Sequence, residues 1–466
     1  MSLTVRDIGH PSNHSEQLPL FQTSTSPEKG DSNFSDPSFV SNKSQPIHRW
    51  VPWIAGFSSE FVKGALDKYL SPRGGTILDP FAGVGTTLVD AILSGHNVVG
   101  FEINPYAAMA CRLKVNASQM PVEKLENEML RFRKFMDAKM PNGYAAKSTS
   151  PGGFKSRTAF YSPKVLQKVL IFHDFIRTIK DGLLQEVFKL AFASTMVSYS
   201  NYSYEPSLCR RISAGRKEIH DFPVELTILQ KLQQMTNDIK WAKERAVLPQ
   251  REAVIINDTF FRCDSHLAPE SADLIVTSPP YLNNYHYNRN TRPQLYWLGL
   301  VNDLKDMKDL EESNFGKYWQ TVRDLDRIDL NFLPSGTDIT EQLKQLRMLH
   351  PERGCYGGRG WANYATVYFN DCHKFAIMIN YILKPGGTAL VVIGNSILQG
   401  ILIPTDQYFG KIAESVGLEL VRIDIPRNTR VGNSIIKSNV RRVKAQPSHQ
   451  LYEAVVELRK KQAAFV

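Results

Sequence analysis

Apolar residues in this chain fall into two alternating rhythms. The first is a set of short continuous runs, rich in valine and isoleucine and closed by glycine, aspartate or proline. These are Thr76–Leu78, Asn97–Phe101, "AVIIND", "ADLIVT" and "TALVVIG", with "ELVRIDIP" and "LYEAVVELRK" near the end. Runs of that length without polar alternation predict strands buried on both faces of a sheet. The second rhythm is helical spacing. It appears in "SSEFVKGALDKYL" behind a serine cap, from about Thr86 to Ser94 with Gly95 closing the helix, and again after Asn104. "FNDCHKFAIMINYIL" carries it too, and a Lys-Pro-Gly-Gly turn separates that helix from the strand that follows. Strand and helix in alternation predict an α/β fold with a doubly wound, mostly parallel sheet.

Interruptions of this rhythm set the expected organisation. Residues 1–46 are dominated by Ser, Pro, Asn, Gln and Thr and predict a flexible arm. Residues 47–114 form a first βαβ half. Residues 115–250 contain three amphipathic helical stretches and predict a helical insertion. The strands resume at 251–287. Residues 288–364, rich in Asn, Tyr, Arg and Gly, predict an irregular insertion, and 365–466 complete the sheet and end in a basic segment.

Composition narrows the class. A chain of 466 residues with 42% hydrophobic residues suits a globular protein of several structural units. No stretch approaches the roughly 20 apolar residues of a membrane span, and the N-terminus lacks a charged-then-apolar leader, which predicts a cytoplasmic protein without a membrane partner. The five scattered cysteines form no CxxC pair and predict neither a disulfide framework nor a metal site. A net charge of +10 favours an anionic partner, nucleic acid foremost.

Candidate chemistry lies at two strand ends. In "LDPFAGVGTT" the first strand delivers Asp79. Pro80 and Phe81 follow, then Gly83 and Gly85 let the backbone approach a ligand where a helix opens at Thr86. The next strand ends about twenty residues later at Glu102, an acid able to accept hydrogen bonds from both hydroxyls of a ribose. In "ADLIVTSPPY" a strand runs into Ser278, Pro279, Pro280 and Tyr281. Each proline fixes φ and removes a donor, so this corner is stiff and rich in carbonyl acceptors. It suits a planar group that offers N–H donors.

Together, "DPFAGVGTT", "FEINP" and "TSPPY" resemble the S-adenosylmethionine-dependent DNA amino-methyltransferases, which act on exocyclic base nitrogens. The resemblance covers residues 48–115, 251–287 and 365–425. It implies a class I, Rossmann-like methyltransferase fold with insertions, and S-adenosyl-L-methionine held by Asp79, Pro80, Phe81, Gly83, Gly85, Thr86, Glu102 and Asp258. It implies catalysis at Ser278–Tyr281 on a base flipped out of double-stranded DNA. Serine at the first catalytic position resembles the cytosine-N4 subgroup; adenine-N6, an RNA base, or an inactive nucleic-acid-binding module are the alternatives. Carbon-5 methylation is excluded, because that chemistry needs a cysteine after proline and no cysteine here follows one. The setting implied is a modification system with a cognate restriction or defence partner. Arg210, Arg211, Arg289, Arg292, Arg441 and Arg442 are the candidate DNA contacts, since cations near aromatics can neutralise phosphates.

Overall fold

The computed structural model describes residues 42–53, 58–70, 74–140, 143–205, 207–247, 249, 251–282, 287–429 and 451–462, with Tyr287 and 427–429 described by backbone alone. Nearly all of the predicted arm and the basic stretch holding Arg441 and Arg442 lie outside these residues. Seven strands make the main sheet: β1 (Thr76–Asp79), β2 (Asn97–Phe101), β3 (Ala253–Ile256), β4 (Ala272–Thr277), β5 (Leu383–Gly394), β6 (Leu418–Thr429) and β7 (Leu451–Lys460). Their order across the sheet is β6-β7-β5-β4-β1-β2-β3. Neighbours from β5 through β3 are parallel, whereas β7 runs antiparallel to both β5 and β6. This is the doubly wound, mostly parallel α/β arrangement expected from the sequence.

Helices cover both faces. On one side lie α1 (Ser59–Tyr69), α2 (Thr86–Leu93) and α3 (Pro105–Val115); on the other lie α8 (Gly358–Ile382) and α9 (Thr405–Ser415). Alternate residues of one strand therefore enter different cores. Leu274 and Val276 pack into the first core and Ile275 into the second, and all three are fully buried. Double burial explains why these strands read as continuous apolar runs.

The helical insertion joins the first core. It comprises α4 (Val122–Lys139), α5 (Pro163–Ile176), α6 (Gly182–Thr195) and α7 (Val224–Glu244). Phe132 of α4 sits edge-on to Phe172 and Phe188, with ring centroids 5.4 and 5.9 Å away. Asp238 of α7 ties down the chain before α1: it accepts from the Ile47 N–H at 2.9 Å, Arg49 Nε at 3.1 Å and Trp50 Nε1 at 3.0 Å. Ordered packing already includes Asn42, which is fully buried and accepts the Ser59 N–H at 3.0 Å.

Two local details differ from the reading of the sequence. The Lys-Pro-Gly-Gly turn is absorbed into β5 as an irregularity, where the pairing with β4 jumps from Leu383 to Thr388. The stretch read as irregular, 288–364, holds several short helices, and α8 already begins at Gly358. Glycines conceal that start. A Cβ on Gly358 would lie 1.7 Å from the Leu346 carbonyl oxygen, so close packing, rather than a turn, demands glycine there.

Sheet order reverses at the β1–β4 boundary. In open α/β sheets that switch point leaves a crevice beyond the strand carboxyl ends. The glycine loop leaves β1 and the Ser-Pro-Pro-Tyr loop leaves β4, so both open onto it.

Candidate active site

Backbone geometry shapes the first wall. Gly85 caps α2 in the left-handed region at φ 83°, and Gly83 is also left-handed at φ 51°. The Gly83 N–H donates to Glu102 Oε2 at 2.8 Å, and the Asn104 N–H donates to Glu102 Oε1 at 2.8 Å. Each carboxylate oxygen thus has one anchoring donor and can still accept from a ligand hydroxyl. Burial pushes the Glu102 carboxyl up to about 7 against these two hydrogen bonds. Asp79 lies behind the loop, fully buried. Its Oδ1 accepts from the Phe81 N–H at 3.0 Å and from Thr277 Oγ1 at 2.6 Å, which joins the ends of β1 and β4. Burial raises its carboxyl to about 6. Lys114, unmarked by any sequence pattern, donates from its buried ammonium to the Val84 carbonyl at 2.8 Å and pins the loop between its two glycines.

The second wall is the proline corner. Pro279 is buried, while Ser278, Pro280 and Tyr281 are partly exposed. Tyr368 of α8 donates its hydroxyl to the Pro280 carbonyl at 3.1 Å. Tyr281 donates to Glu453 Oε1 at 3.3 Å, and its ring lies against Gly394, where a Cβ would meet Cε2 at 3.2 Å. Removing the Tyr368 hydroxyl leaves the Pro280 carbonyl without that donor and loosens the corner. Tyr368→Phe is expected to lower kcat by about tenfold and stability by about 1 kcal/mol, with cofactor affinity unchanged, in steady-state assays and thermal melts.

Between the walls lies one cavity. Pro80, Phe81, Gly83, Glu102, Ser278 and Pro280, all named from sequence, line it together. Asp79 and Thr86 are buried behind it. Asp258 stands apart from this lining: it pairs with Arg262 and accepts from His266 Nε2 at 2.8 Å, while its neighbours Thr259 and Phe260 face the cavity. Asn104, Asn288, Asn314 and Phe315 also line it and were not among the residues chosen from sequence. Asn104 sits in the "FEINP" stretch and could have been found there; Asn314 and Phe315 lie in the second insertion with no pattern to mark them.

The cation candidates are dispersed. Arg210 and Arg289 are exposed, and the Arg289 guanidinium lies 5.9 Å from the Tyr318 ring centre. Arg211 is half-buried. Arg292 is also half-buried, its guanidinium lying between Phe154 and Tyr296 at 5.8 and 5.6 Å.

The donor set fits a sulfonium nucleoside. An acid with free lone pairs suits ribose hydroxyls, and the rings of Phe81 and Phe260 offer apolar walls to a purine. The comparisons agree. A family model described as "DNA methylase", of the N6/N4 class, matches residues 34–111. The chain is 24% identical over 436 residues to the type II methyltransferase M.BsoBI of Geobacillus stearothermophilus, covering 85% of this chain and 83% of that protein. It is 24% identical to M.AvaI of Anabaena variabilis, covering 85% and 84%, and 22% identical to M.MvaI of Kocuria varians, covering 78% and 80%. Residues 34–111 thus resemble the N6/N4 DNA methylases, and the type II methyltransferases match over most of the chain. S-adenosyl-L-methionine is the methyl donor, and no helix among the described residues is long and apolar enough to cross a membrane.

If Glu102 receives the cofactor's ribose, as expected from the sequence, cofactor binding carries a pH signature. Its carboxyl is raised in the free protein, and a ribose hydroxyl is best received by the ionised form. The bound carboxyl is therefore lower than the free one, and binding releases a proton below that point. The dissociation constant is expected to be flat above pH of about 7 and to rise up to tenfold per unit below it. Titration calorimetry from pH 5 to 8 measures this, and Glu102→Gln should abolish the slope.

Proposed function

We propose that this protein methylates the exocyclic N4 of cytosine at a specific site in duplex DNA, as the modification half of a type II restriction system. The observation that carries the proposal is that Ser278 and Pro280 line the same cavity as Gly83 and Glu102. The Ser278 side offers acceptors to a base amino group, and the side of Gly83 and Glu102 holds a nucleoside.

A cytosine amino nitrogen is a weak nucleophile because its lone pair is delocalised into the ring. Acceptance of its N–H bonds by Ser278 Oγ and the Pro279 carbonyl favours a more tetrahedral nitrogen whose lone pair can be shared. The bound cofactor supplies an activated methyl on sulfur. The protein's work is then alignment: two stiff loops fixed at adjacent strand ends hold donor and acceptor in one orientation, a contribution of up to about 7–11 kcal/mol for well-oriented partners. The Thr277–Asp79 hydrogen bond of 2.6 Å and the Tyr368–Pro280 bond of 3.1 Å fix the two loops. Tyr281 edges the corner and offers a stacking face to the base. A paired base cannot enter such a site, so the duplex must release it at a cost of a few kcal/mol.

Serine at position 278 supports cytosine as the target. Methylome sequencing of DNA from cells expressing the wild type, Ser278→Ala or Tyr281→Ala tests the reading. N4-methylcytosine in one sequence context, strongly reduced in both variants, is the expected result. N6-methyladenine would replace the base assignment, and unmodified DNA beside methylated RNA would overturn the substrate.

A further inference from the structure

We propose that the two-stranded hairpin of the helical insertion, Tyr202–Tyr204 paired with Leu208–Arg210, is a DNA-contacting arm held in register with the active site by Asn290. The inference rests on the DNA reading above and specifies the surface that meets the duplex.

The hairpin belongs to the insertion by sequence, yet it is bonded to the segment that follows the catalytic loop. Its strands pair Tyr202 with Arg210 and Tyr204 with Leu208. The Tyr204 hydroxyl donates to the Asn290 carbonyl at 2.9 Å, and the Leu208 N–H donates to Asn290 Oδ1 at 3.2 Å. Gln294 Nε2, from the next helical turn, donates to the Tyr204 hydroxyl at 3.3 Å. One buried asparagine thus satisfies a side chain on one hairpin strand and a backbone donor on the other.

That asparagine is itself tied to the cofactor wall. Asn288, two residues earlier, lines the cavity. Asn104 Nδ2 donates to Asn288 Oδ1 at 3.1 Å and to Thr291 Oγ1 at 2.8 Å, while the Asn104 N–H holds Glu102. A hydrogen-bonded path therefore runs from the cofactor acid through Asn104 and the 288–291 segment to the hairpin. Asn104, Asn288, Asn290 and Thr291 are all buried, so the path is shielded from competing water.

What the arm carries is cationic. Arg210 ends its second strand and is exposed; Arg211 follows, its Nε donating to the Lys217 carbonyl at 2.8 Å, which fixes the side chain along the turn. Lys217 is also exposed, and Arg216 pairs with Glu205 across the hairpin mouth. Exposed Arg289 lies next to Asn290. A cationic surface docked beside a cavity built for an extruded base has a natural occupant in the phosphates flanking that base. Those phosphates fix register and orientation on a duplex.

The test is direct binding of a fluorescently labelled, mixed-sequence duplex DNA, by anisotropy at several salt concentrations. Arg210→Ala/Arg211→Ala is expected to weaken binding at least tenfold and to reduce the slope of log affinity against log salt by about two, near 0.9 per phosphate contact. Cofactor affinity should stay at the wild-type value. Asn290→Ala should weaken DNA binding in the same direction, and Asn290→Asp, which keeps the Oδ1 acceptor for Leu208, should restore most of it. Equal affinity and equal salt slope in wild type and the double variant would overturn the proposal. A changed salt slope in a protein that transfers no methyl to DNA would uphold the arm and overturn the function above.

Discussion

Ser278→Ala is expected to lower kcat for methyl transfer by about 10²–10³, equivalent to about 3–4 kcal/mol of transition-state stabilisation. Cofactor affinity and thermal stability should match the wild type. The substitution removes one hydroxyl from a partly exposed position on the cavity wall, so no core packing is disturbed. What it removes, on the proposed function, is one of the two acceptors for the reacting amino group. The Pro279 carbonyl remains, which is why some activity should survive. Single-turnover kinetics with tritiated cofactor, run beside calorimetry, separates the two quantities. Loss of cofactor binding in step with turnover would mean that Ser278 serves the nucleoside instead of the base.

Gly85→Ala is expected to damage the other wall and the fold together. The residue sits at φ 83°, which costs a side chain about 1–2 kcal/mol. A Cβ there would lie 2.6 Å from the Sγ of fully buried Cys111, so either α3 or the loop must move. Overpacking of this kind costs about 1–3 kcal/mol more. Because Gly83 and Glu102 are linked across the same loop, the shift should raise the cofactor dissociation constant at least 100-fold, with a melting temperature lower by several degrees. Adding Cys111→Ala relieves the sulfur contact but leaves the strained backbone. Partial recovery of stability without recovery of binding is the expected double-variant result.

Much of the scaffold was legible because burial on both faces writes itself into sequence as unbroken apolar runs. Asn97–Phe101 and Leu451–Lys460 are strands with the bounds read from that pattern. The two loops were legible for a different reason: glycine and proline mark places where the backbone itself is constrained. The cavity's third side was not. Asn314 and Phe315 reach it from the second insertion, in which the helical elements are short and give little periodicity. Nor was Lys114, a charge buried on an otherwise apolar helix face, since its role depends on one carbonyl thirty positions earlier. Long-range partners of this kind, like Tyr368 for Pro280 and Asn290 for the hairpin, leave no local trace.

In the proposed reaction one crevice brings a nucleoside sulfonium and an extruded base amino group together. Nucleoside mass spectrometry of duplex DNA incubated with the purified protein and trideuteriomethyl-labelled S-adenosylmethionine tests it most directly. A trideuterated methyl on cytosine N4 is expected, formed at least 100-fold more slowly with Ser278→Ala. A labelled methyl on ring carbon 5, or no label in DNA from protein that binds the cofactor, would contradict it.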